Sequence, residues 1–426
     1  MITLDASKTS EKRSKNGASL GNITGTEASH ELRGLQGIDK PKNLIEKVCT
    51  ETGEILVFEY TKTAERPYKT FQETRAYRYF LKSALSDFLE YPRVLRCSRY
   101  LLPAAFGKEP TVQVLKSREH QKCHYAGLQR CGSPWGCPVC APKISERRKV
   151  EVKAAMITAK AMGWGVVLMT CTIPHGIGDD VNQLRANMAS AWRRMTTGRA
   201  GKAVRQKISL EGTIRAIEVT HGDNGFHPHF HVLLFTSKPV PCSAIQYLFL
   251  PSWQDACIKS GLGRPSDERG LDVRNGDQAS EYVSKGAFGL EKSFWGLESE
   301  LTKGQTKLSK SKTGSTPFGL LEKYALTGCD VSKRLFQVYF SAFKGSRQLY
   351  WSNGLKAKLA VIDYTDEELL AKEDDECSVL AELTLTQWKA VLSSRCEGAL
   401  LDIAERDPLS VPAFLLSLQS QPKAKK

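Results

Sequence analysis

Apolar and polar residues follow two periods along the middle of the chain, and these periods predict strands and helices in turn. A largely apolar run at 166–174 (VVLMTCTIP) predicts a buried strand, and residues 179 to about 195 follow a helical period that two aspartates open. Two strand-like runs joined by turn residues come next, followed by a helical pattern at 243–260 and a short strand at 270–274. This order of elements predicts an α+β fold in which a central antiparallel sheet is flanked by helices.

The rest of the pattern divides the chain into five predicted segments. In order, they are a polar and partly disordered N-terminal arm (1–70), a helical segment with a cysteine-rich stretch and a basic helix (71–160), a sheet core (161–290), a basic loop with helices that complete the same domain (291–355), and a C-terminal helical appendage (356–426). The N-terminus has no apolar run of the signal-peptide kind, and the most apolar stretch is too short to span a bilayer. We therefore expect a cytoplasmic protein with no membrane partner.

Three histidines alternate with other residues in the second strand-like run, HPHFHVLL. Successive side chains of a strand point to opposite faces, so His227, His229 and His231 share one face. The turn sequence HGDNG precedes them, and a hairpin folded about Asn224 places Glu218 opposite residue 230, give or take one. Two imidazoles beside a carboxylate, with coordination positions left open, predict a metal site that can also hold a substrate phosphate.

A cysteine cluster lies upstream of the sheet core, in HQKCHYAGLQRCGSPWGCPVC. A CxxC pair with further thiols nearby is typical of tetrahedral zinc in a small knuckle, so we predict a structural zinc site. The predicted ligands are Cys123, Cys131, Cys137 and Cys140, with His120 and His124 as alternatives to Cys123 for the fourth position. A redox CxxC is the other interpretation, but no βαβ pattern surrounds the pair.

Composition narrows the class of partner. The chain has 426 residues, 41% of them hydrophobic, and a formal net charge of +15, which suits a polyanionic partner such as nucleic acid. Twelve cysteines in a chain without a recognisable export signal favour reduced thiols and metal binding over disulfides. Positive charge alone is also found in proteins that are merely soluble.

A reactive group for the metal site is predicted in DQASEYVSKG. Tyr282 and Lys285 stand three residues apart, so they lie on neighbouring faces of one helix. A phenol with a pKa of about 10 is a weak nucleophile at neutral pH, but a nearby cation and a metal-polarised phosphate compensate for this. Tyrosines are usually packing residues, and only the partnership with the histidine hairpin singles out this one.

These stretches together resemble a known family. EVTHGDNGFHPHFHVLL, the upstream LMTCTIPHG, the downstream EYVSKG and the later FKGSRQLYWSNGL are similar to plasmid rolling-circle replication initiators, which belong to the HUH endonucleases. CGSPWGCPVCAPKISERR resembles the cysteine segment of one branch of those initiators. The resemblance extends from about residue 123 to 355, and it implies that 161–290 form an HUH nicking core.

The resemblance implies a site-specific nick in one strand of a plasmid's double-strand origin. The tyrosine becomes joined to the 5′-phosphate, and the free 3′-OH primes replication. His229 and His231 match the metal-binding pair, Tyr282 the nucleophile and Lys285 the lysine of the same motif, while Glu218 falls where an acidic ligand is expected. The resemblance implies Mg²⁺ or Mn²⁺ as the metal, and a protein that acts in a bacterial cytoplasm on single-stranded or hairpin origin DNA. Because the chain has no phosphate-loop motif, we expect a host helicase to unwind the DNA and a host polymerase to extend it.

Three positions depart from the family pattern or stay open. Some members carry a glutamate four residues before the tyrosine, as a base that ends the cycle, and here that position is Gln278. Glu281 is an accessory candidate without the expected helical offset. His227 matches the family's leading histidine, and its role stays open.

Other classes of protein are also consistent with these residues. HPHFHVL approximates the motif of histidine-triad nucleotide hydrolases and transferases, although Pro228 departs from it and the tyrosine and cysteines are left unexplained. A non-enzymatic zinc protein that binds nucleic acid is a second alternative. A conjugative relaxase or a single-strand transposase would use the same chemistry in another process.

Overall fold

The computed structural model describes residues 44–48, 55–59, 75–104, 106–118, 121–275, 314–371 and 377–420. Contacts divide the chain near residue 44, and the second unit, Ile45–Lys426, contains the sheets and helices considered below. Strands β1 (Leu44–Val48) and β2 (Ile55–Glu59) form a two-stranded sheet.

A five-stranded antiparallel sheet forms the centre of the main unit. Its strands, in spatial order, are β8 (Leu271–Asn275), β5 (Gly165–Cys171), β7 (Gly225–Thr236), β6 (Leu210–Gly222) and β9 (Leu349–Trp351). The strand that carries the three histidines is therefore the middle one. The predicted α+β fold with a central antiparallel sheet is confirmed.

The hairpin of β6 and β7 is closed by the two-residue turn Asp223–Asn224. Gly225 follows the turn with a φ of +82°, and a side chain there would meet the carbonyl oxygen of Gly176 at 2.9 Å. Glycine is therefore required at this position. The turn sets the register, and Glu218 pairs with His229, within one residue of the predicted partner.

Helices cover both faces of this sheet. The longest, α3 (Cys140–Ala161), packs Val152, Ala155 and Ala159 against the face that carries Leu233 and Phe235. These two residues share the histidines' parity along β7, so α3 lies on the same sheet face as the histidines. The opposite face, with Phe230 and Val232, is covered by the largest apolar cluster of the described residues.

The other helices fall into three groups by position in the chain. Before α3 come α1 (Arg75–Ala84), which continues as a 3-10 turn (Leu85–Asp87), and α2 (Pro92–Arg96). Within the sheet region lie α4 (Val181–Thr197), α5 (Arg199–Lys207), α6 (Cys242–Ile258), α7 (Pro317–Thr327) and α8 (Asp330–Phe343). The C-terminal part has α9 (Leu355–Lys358), α10 (Asp366–Ala371), α11 (Leu385–Ser393), α12 (Glu397–Arg406) and α13 (Val411–Ser420).

A second, three-stranded sheet joins residues far apart in the sequence. Strands β10 (Cys377–Leu383), β3 (Val112–Ser117) and β4 (Cys123–Ala126) pair in that order, and helices α11 to α13 pack on them in an apolar cluster of their own. The C-terminal segment predicted as an appendage therefore shares a sheet and a core with the segment before α3. Its acidic and apolar pattern gave no sign of β10, whose partner strand lies more than 250 residues earlier.

Among the residues that the structure describes, no helix combines the length and apolar character needed to cross a membrane.

Candidate active site

Glu218, His229 and His231 meet on one face of the central sheet. The Nε2 atom of His231 lies 3.0 Å from Oε2 of Glu218, and Nε2 of His229 lies 3.5 Å from the same oxygen. The two Nε2 atoms are 3.0 Å apart. All three ligand atoms therefore converge on one point, as the sequence predicted for a carboxylate in register with alternating histidines.

These spacings suit a divalent cation. Two ligands in adjacent octahedral positions, each about 2.1 Å from a metal, lie about 3.0 Å apart. Two imidazoles and one carboxylate would occupy one face of such an octahedron and leave the other positions to water or substrate oxygens. Glu218, His229 and His231 could therefore hold a divalent metal ion.

The surroundings of the triad orient it. Oγ1 of Thr170, on the neighbouring strand β5, lies 3.3 Å from Nδ1 of His231 and so directs the ring's other nitrogen toward Glu218. The Nδ1 atom of His229 is buried and has no hydrogen-bond partner among the described residues. Glu218 and His231 are 8% and 6% exposed, so a cation bound here would be partly shielded from water.

His227 lies beside this triad but contacts another histidine. Its Nδ1 atom is 3.1 Å from Nδ1 of His175, which follows β5 in the sequence TIPHG. Burial, with smaller contributions from His229 and His175, lowers the pKa of His227 to about 4, against the opposing effect of Glu218. His227 is thus neutral at neutral pH. His175 was not predicted as a site residue, although it lies in LMTCTIPHG, one of the stretches that carry the family resemblance.

The other predicted site residues lie outside the described part of the chain. This applies to Tyr282, Lys285, Glu281 and the substituted position Gln278. The described chain leaves the sheet at Asn275, the last residue of β8, and resumes at Gly314. Ser315 then pairs with His221, on the strand that carries Glu218.

The second candidate metal centre is formed by Cys97, Cys131, Cys137 and Cys140, whose sulfurs lie within 4.8 Å of one another. The Sγ atoms of Cys97 and Cys140 are 3.3 Å apart, those of Cys97 and Cys137 3.7 Å, and those of Cys131 and Cys140 3.8 Å. Four thiolates about 2.3 Å from a central zinc lie about 3.8 Å from one another in a tetrahedron. The sulfur arrangement therefore fits zinc.

The predicted set of cysteines needs one correction, because Cys97 takes the place that Cys123 was expected to fill. Cys123 begins β4 and lies in the cluster of the smaller sheet, where its backbone N–H donates to Oε2 of Glu405 at 3.1 Å. His124 lies on the same strand, and His120 is outside the described residues. Cys97 follows α2, 34 residues before Cys131, and no spacing pattern in the sequence joins the two.

The cysteine centre is closed, and its thiols shift one another's pKa in both directions. All four side chains are at most 2% exposed. Hydrogen bonds from Cys131, Cys137 and Cys140 hold the pKa of Cys97 well below its ordinary value. Burial, together with hydrogen bonds from the other three thiols, raises the pKa of Cys137. The guanidinium of Arg130 lies nearby, donating to Oγ of Ser98 and to the carbonyl of Tyr125 at 2.7 Å each. Burial lowers the pKa of Arg130, but Tyr79 and the cluster's thiols raise it above its usual value, so this cation offsets part of the thiolate charge.

The fold and these two clusters define an α+β protein with one closed and one open candidate metal centre. Residues 123–257 match a family described as replication proteins. "Protein rep" of Streptomyces lividans is 27% identical over 340 residues, which cover 62% of this chain and 73% of that protein. "Neomycin resistance protein" of Streptomyces cyanogenus is 29% identical over 170 residues, covering 32% of this chain and 39% of that protein. "Protein rep" of a Bacillus species is 26% identical over 152 residues, covering 34% of this chain and 43% of that protein.

No solved structure matches the chain. The resemblance to plasmid replication initiators predicted from the sequence is confirmed, with the family match extending over residues 123–257. The matched segment contains three of the four clustered cysteines and the whole histidine hairpin.

Proposed function

We propose that this protein initiates plasmid replication by nicking one strand of origin DNA through metal-dependent transesterification, with Tyr282 as the nucleophile. The observation that carries the proposal is the convergence of Glu218, His229 and His231 on one point, inside a segment that matches replication proteins. An initiator that nicks needs a charge-stabilising centre next to a strand of DNA, and this cluster can hold one.

The reaction exchanges one phosphodiester for another. The phenolate oxygen of Tyr282 attacks the scissile phosphorus, the P–O3′ bond breaks, and the 3′-oxygen takes a proton to become the free 3′-OH. The strand's 5′-phosphate stays bound to tyrosine, which preserves the energy of the broken bond for later rejoining. A bound Mg²⁺ or Mn²⁺ supplies stabilisation of the charge that develops on the phosphate oxygens. Lys285 assists by favouring the phenolate.

The chain connectivity permits Tyr282 to reach the triad. Asn275, the last residue of β8, pairs with Val167, three residues along β5 from Thr170, which pairs with His231. The end of β8 therefore lies two strands across and three residues along from the triad, roughly 14 Å away. Tyr282 follows the last residue of β8 by seven residues, and an extended chain of that length spans up to about 24 Å. The geometry of the described chain therefore supports the proposed partnership.

The cysteine centre supports the same function as a structural zinc site. Cys140 is the first residue of α3, and α3 packs on the sheet face that carries the triad. A zinc bound there fixes the start of that helix. Origin DNA is the proposed partner, with a host helicase and polymerase acting after the nick.

Cleavage of single-stranded oligonucleotides that tile the cognate origin tests this proposal. Wild-type protein and Tyr282→Phe would be incubated with Mn²⁺ or with a chelator, and the products separated on denaturing gels. The proposal predicts a metal-dependent nick with a covalent protein–DNA adduct, both absent from Tyr282→Phe. Tyr324→Phe is the matched control, because that phenol lies on α7 beside Asp87 and is expected to leave cleavage unchanged.

A nick that persists in Tyr282→Phe would assign the nucleophile elsewhere and leave the metal centre standing. Binding of every origin strand without cleavage would favour a non-enzymatic protein that binds nucleic acid.

A further inference from the structure

Arg215 occupies an aromatic cage on the sheet face opposite the triad. Its guanidinium carbon lies 4.4 Å from the ring centre of Phe230, 4.9 Å from that of Tyr350 and 5.2 Å from that of Trp192. Arg215 and Glu218 are three residues apart on one strand, so their side chains point to opposite faces. This cation is therefore separate from the candidate nicking site.

The aromatic cage contacts the guanidinium of Arg215 but supplies no hydrogen-bond acceptor to two of its nitrogens. The Nε and Nη1 atoms of Arg215 are buried and have no hydrogen-bond partner among the described residues. Buried polar groups are nearly always paired, and a cation without an acceptor destabilises the fold. Burial lowers the pKa of Arg215 to about 10. An apolar side chain of similar length would pack in this cage without that penalty, so the guanidinium calls for a functional explanation.

A cavity of about 160 Å³ opens beside this cation. Trp192, Phe249 and Tyr350 contribute aromatic side chains to its lining, and Arg205 and Thr213 are its polar residues. A cavity of about 150 Å³ accommodates one benzene ring. The volume and lining thus suit one planar ring that also offers hydrogen-bond acceptors.

A basic surface leads to the cavity. Residues 181–210 contain seven Arg or Lys and no Asp or Glu. Six of the seven are exposed and form no ion pair with a described residue, namely Arg193, Arg194, Arg199, Lys202, Arg205 and Lys207. All six lie on α4 or α5 or at their ends, and Arg205 belongs to both the surface and the cavity wall. An unbalanced basic surface of this kind attracts a phosphate backbone.

We propose that the Arg215 cavity binds one unpaired nucleotide of a DNA strand whose neighbouring phosphates lie on the basic surface of α4 and α5. The base stacks against the aromatic walls, and Arg215 and Arg205 donate to its acceptor atoms and phosphate. The choice of DNA as the partner rests on the proposed function. The cavity would bind the origin strand at a nucleotide distant from the nicked phosphodiester.

Binding of a fluorescently labelled oligothymidylate, measured by fluorescence anisotropy in the presence of chelator, tests this site without cleavage. We expect Arg215→Met to weaken binding at least about tenfold while its melting temperature stays equal to or above that of wild type, because an unpaired buried cation is removed. We expect Arg205→Gln to reduce the slope of log Kd against log salt by about 0.7, which corresponds to one phosphate contact on a single strand. Lys389→Gln, an exposed charge on α11, is the control and should match wild type.

Three outcomes would overturn the proposal. They are no binding of oligothymidylate by wild type, unchanged binding in both cavity variants, and an equal loss of salt dependence in Lys389→Gln. If Arg215→Met fails to fold, Arg205→Gln decides alone, because that side chain is exposed and unpaired. Cleavage by the same proteins separates the two proposals. A nick with unchanged binding in the cavity variants refutes only this site, whereas weakened binding without any nick in wild type refutes only the nicking function.

Discussion

The two candidate metal centres differ in how completely the protein encloses them. The cysteine centre draws four buried thiols from the end of α2, a loop and the start of α3, and it offers four ligands for a tetrahedron. The histidine centre draws three ligands from two adjacent strands and leaves room for substrate oxygens. Closed sites are typical of structural zinc, and sites with open positions are typical of catalytic metals. Under the proposed function, the closed centre therefore stabilises the fold and the open centre supports the chemistry.

Helix α3 connects the two centres physically. It begins at Cys140, and its later turns pack Val152, Ala155 and Ala159 on the sheet face that carries Glu218, His229 and His231. Substitution of a cysteine ligand should therefore disturb the folding of α3 and, with it, the sheet face that carries the histidine centre. Substitution of a histidine ligand should leave the fold intact, and this difference can be tested.

The largest expected effect is the loss of folding in Cys97→Ser. A structural zinc in small peptides binds with an apparent free energy of about 10–16 kcal/mol, which is comparable with the whole stability of a domain. Cys97→Ser should lose its zinc and its cooperative thermal transition, as measured by metal analysis and circular dichroism.

Cys123→Ser is the matched control, because Cys123 is equally buried but lies in the core of the smaller sheet. It should retain zinc and lose only about 1–2 kcal/mol of stability. The reverse result, with zinc lost from Cys123→Ser and kept by Cys97→Ser, would contradict the cysteine set observed here.

Removing a ligand of the open centre should abolish chemistry without unfolding the protein. We expect His231→Ala to reduce the rate of origin nicking by about a thousandfold, because charge stabilisation of this kind commonly contributes 100- to 1,000-fold or more. His221→Ala serves as the control, since His221 lies on the same hairpin and outside the triad. A thermal transition lost in His231→Ala would assign that centre a structural role as well.

A smaller effect is expected from the residue that orients His231. Thr170→Val removes the hydroxyl that lies 3.3 Å from Nδ1 of His231. Partners of this kind commonly change metal affinity about 10- to 100-fold, so nicking should fall at low Mn²⁺ and recover when Mn²⁺ is raised. Thr172→Val is the control. Thr172 is two residues from Thr170, and its hydroxyl donates to the carbonyl of Arg269 and not to a histidine. A loss that high Mn²⁺ does not rescue would argue against an orienting role.

The smallest effect concerns the ion pairs near Cys123. Glu405 accepts hydrogen bonds from Arg75 at 2.6 Å and from Lys122 at 2.5 Å. Burial alone would raise the pKa of Glu405, but these hydrogen bonds lower it to about 2. A carboxylate with a lowered pKa contributes stability that is present above about pH 4.5 and is lost as the pH falls toward 2.

Glu405→Gln should therefore lower the free energy of unfolding by about 1 kcal/mol at neutral pH, with the difference from wild type shrinking below about pH 4.5. Urea unfolding at several pH values measures this. Glu268→Gln, an exposed carboxylate, should show neither effect. A difference that stays constant down to about pH 3 would contradict the role of Glu405's charge.

The histidine hairpin could be predicted from the sequence because all of its information is local. Alternation along one strand sets the shared face, and a two-residue turn sets the register that places Glu218 opposite His229. These features depend on neighbours within about twenty residues.

Features that depend on distant residues could not be predicted. Cys97 joins the other three cysteines only through the packing of α2 against the start of α3, whereas spacing alone favoured Cys123. Strand β10 pairs with β3 across most of the chain, so the C-terminal pattern gave no sign of a shared sheet. The Arg215 cage likewise collects rings from a helix and two strands.

The distinction between the two centres is tested most directly by chelation and metal rescue on one sample. Purified protein would be dialysed against EDTA, analysed for zinc, and then assayed for origin nicking with Mn²⁺ added back. We predict that the closed centre keeps its zinc, that nicking is lost on dialysis, and that Mn²⁺ alone restores it. Nicking that survives dialysis, or that returns only when zinc is supplied, would contradict the assignment of chemistry to Glu218, His229 and His231.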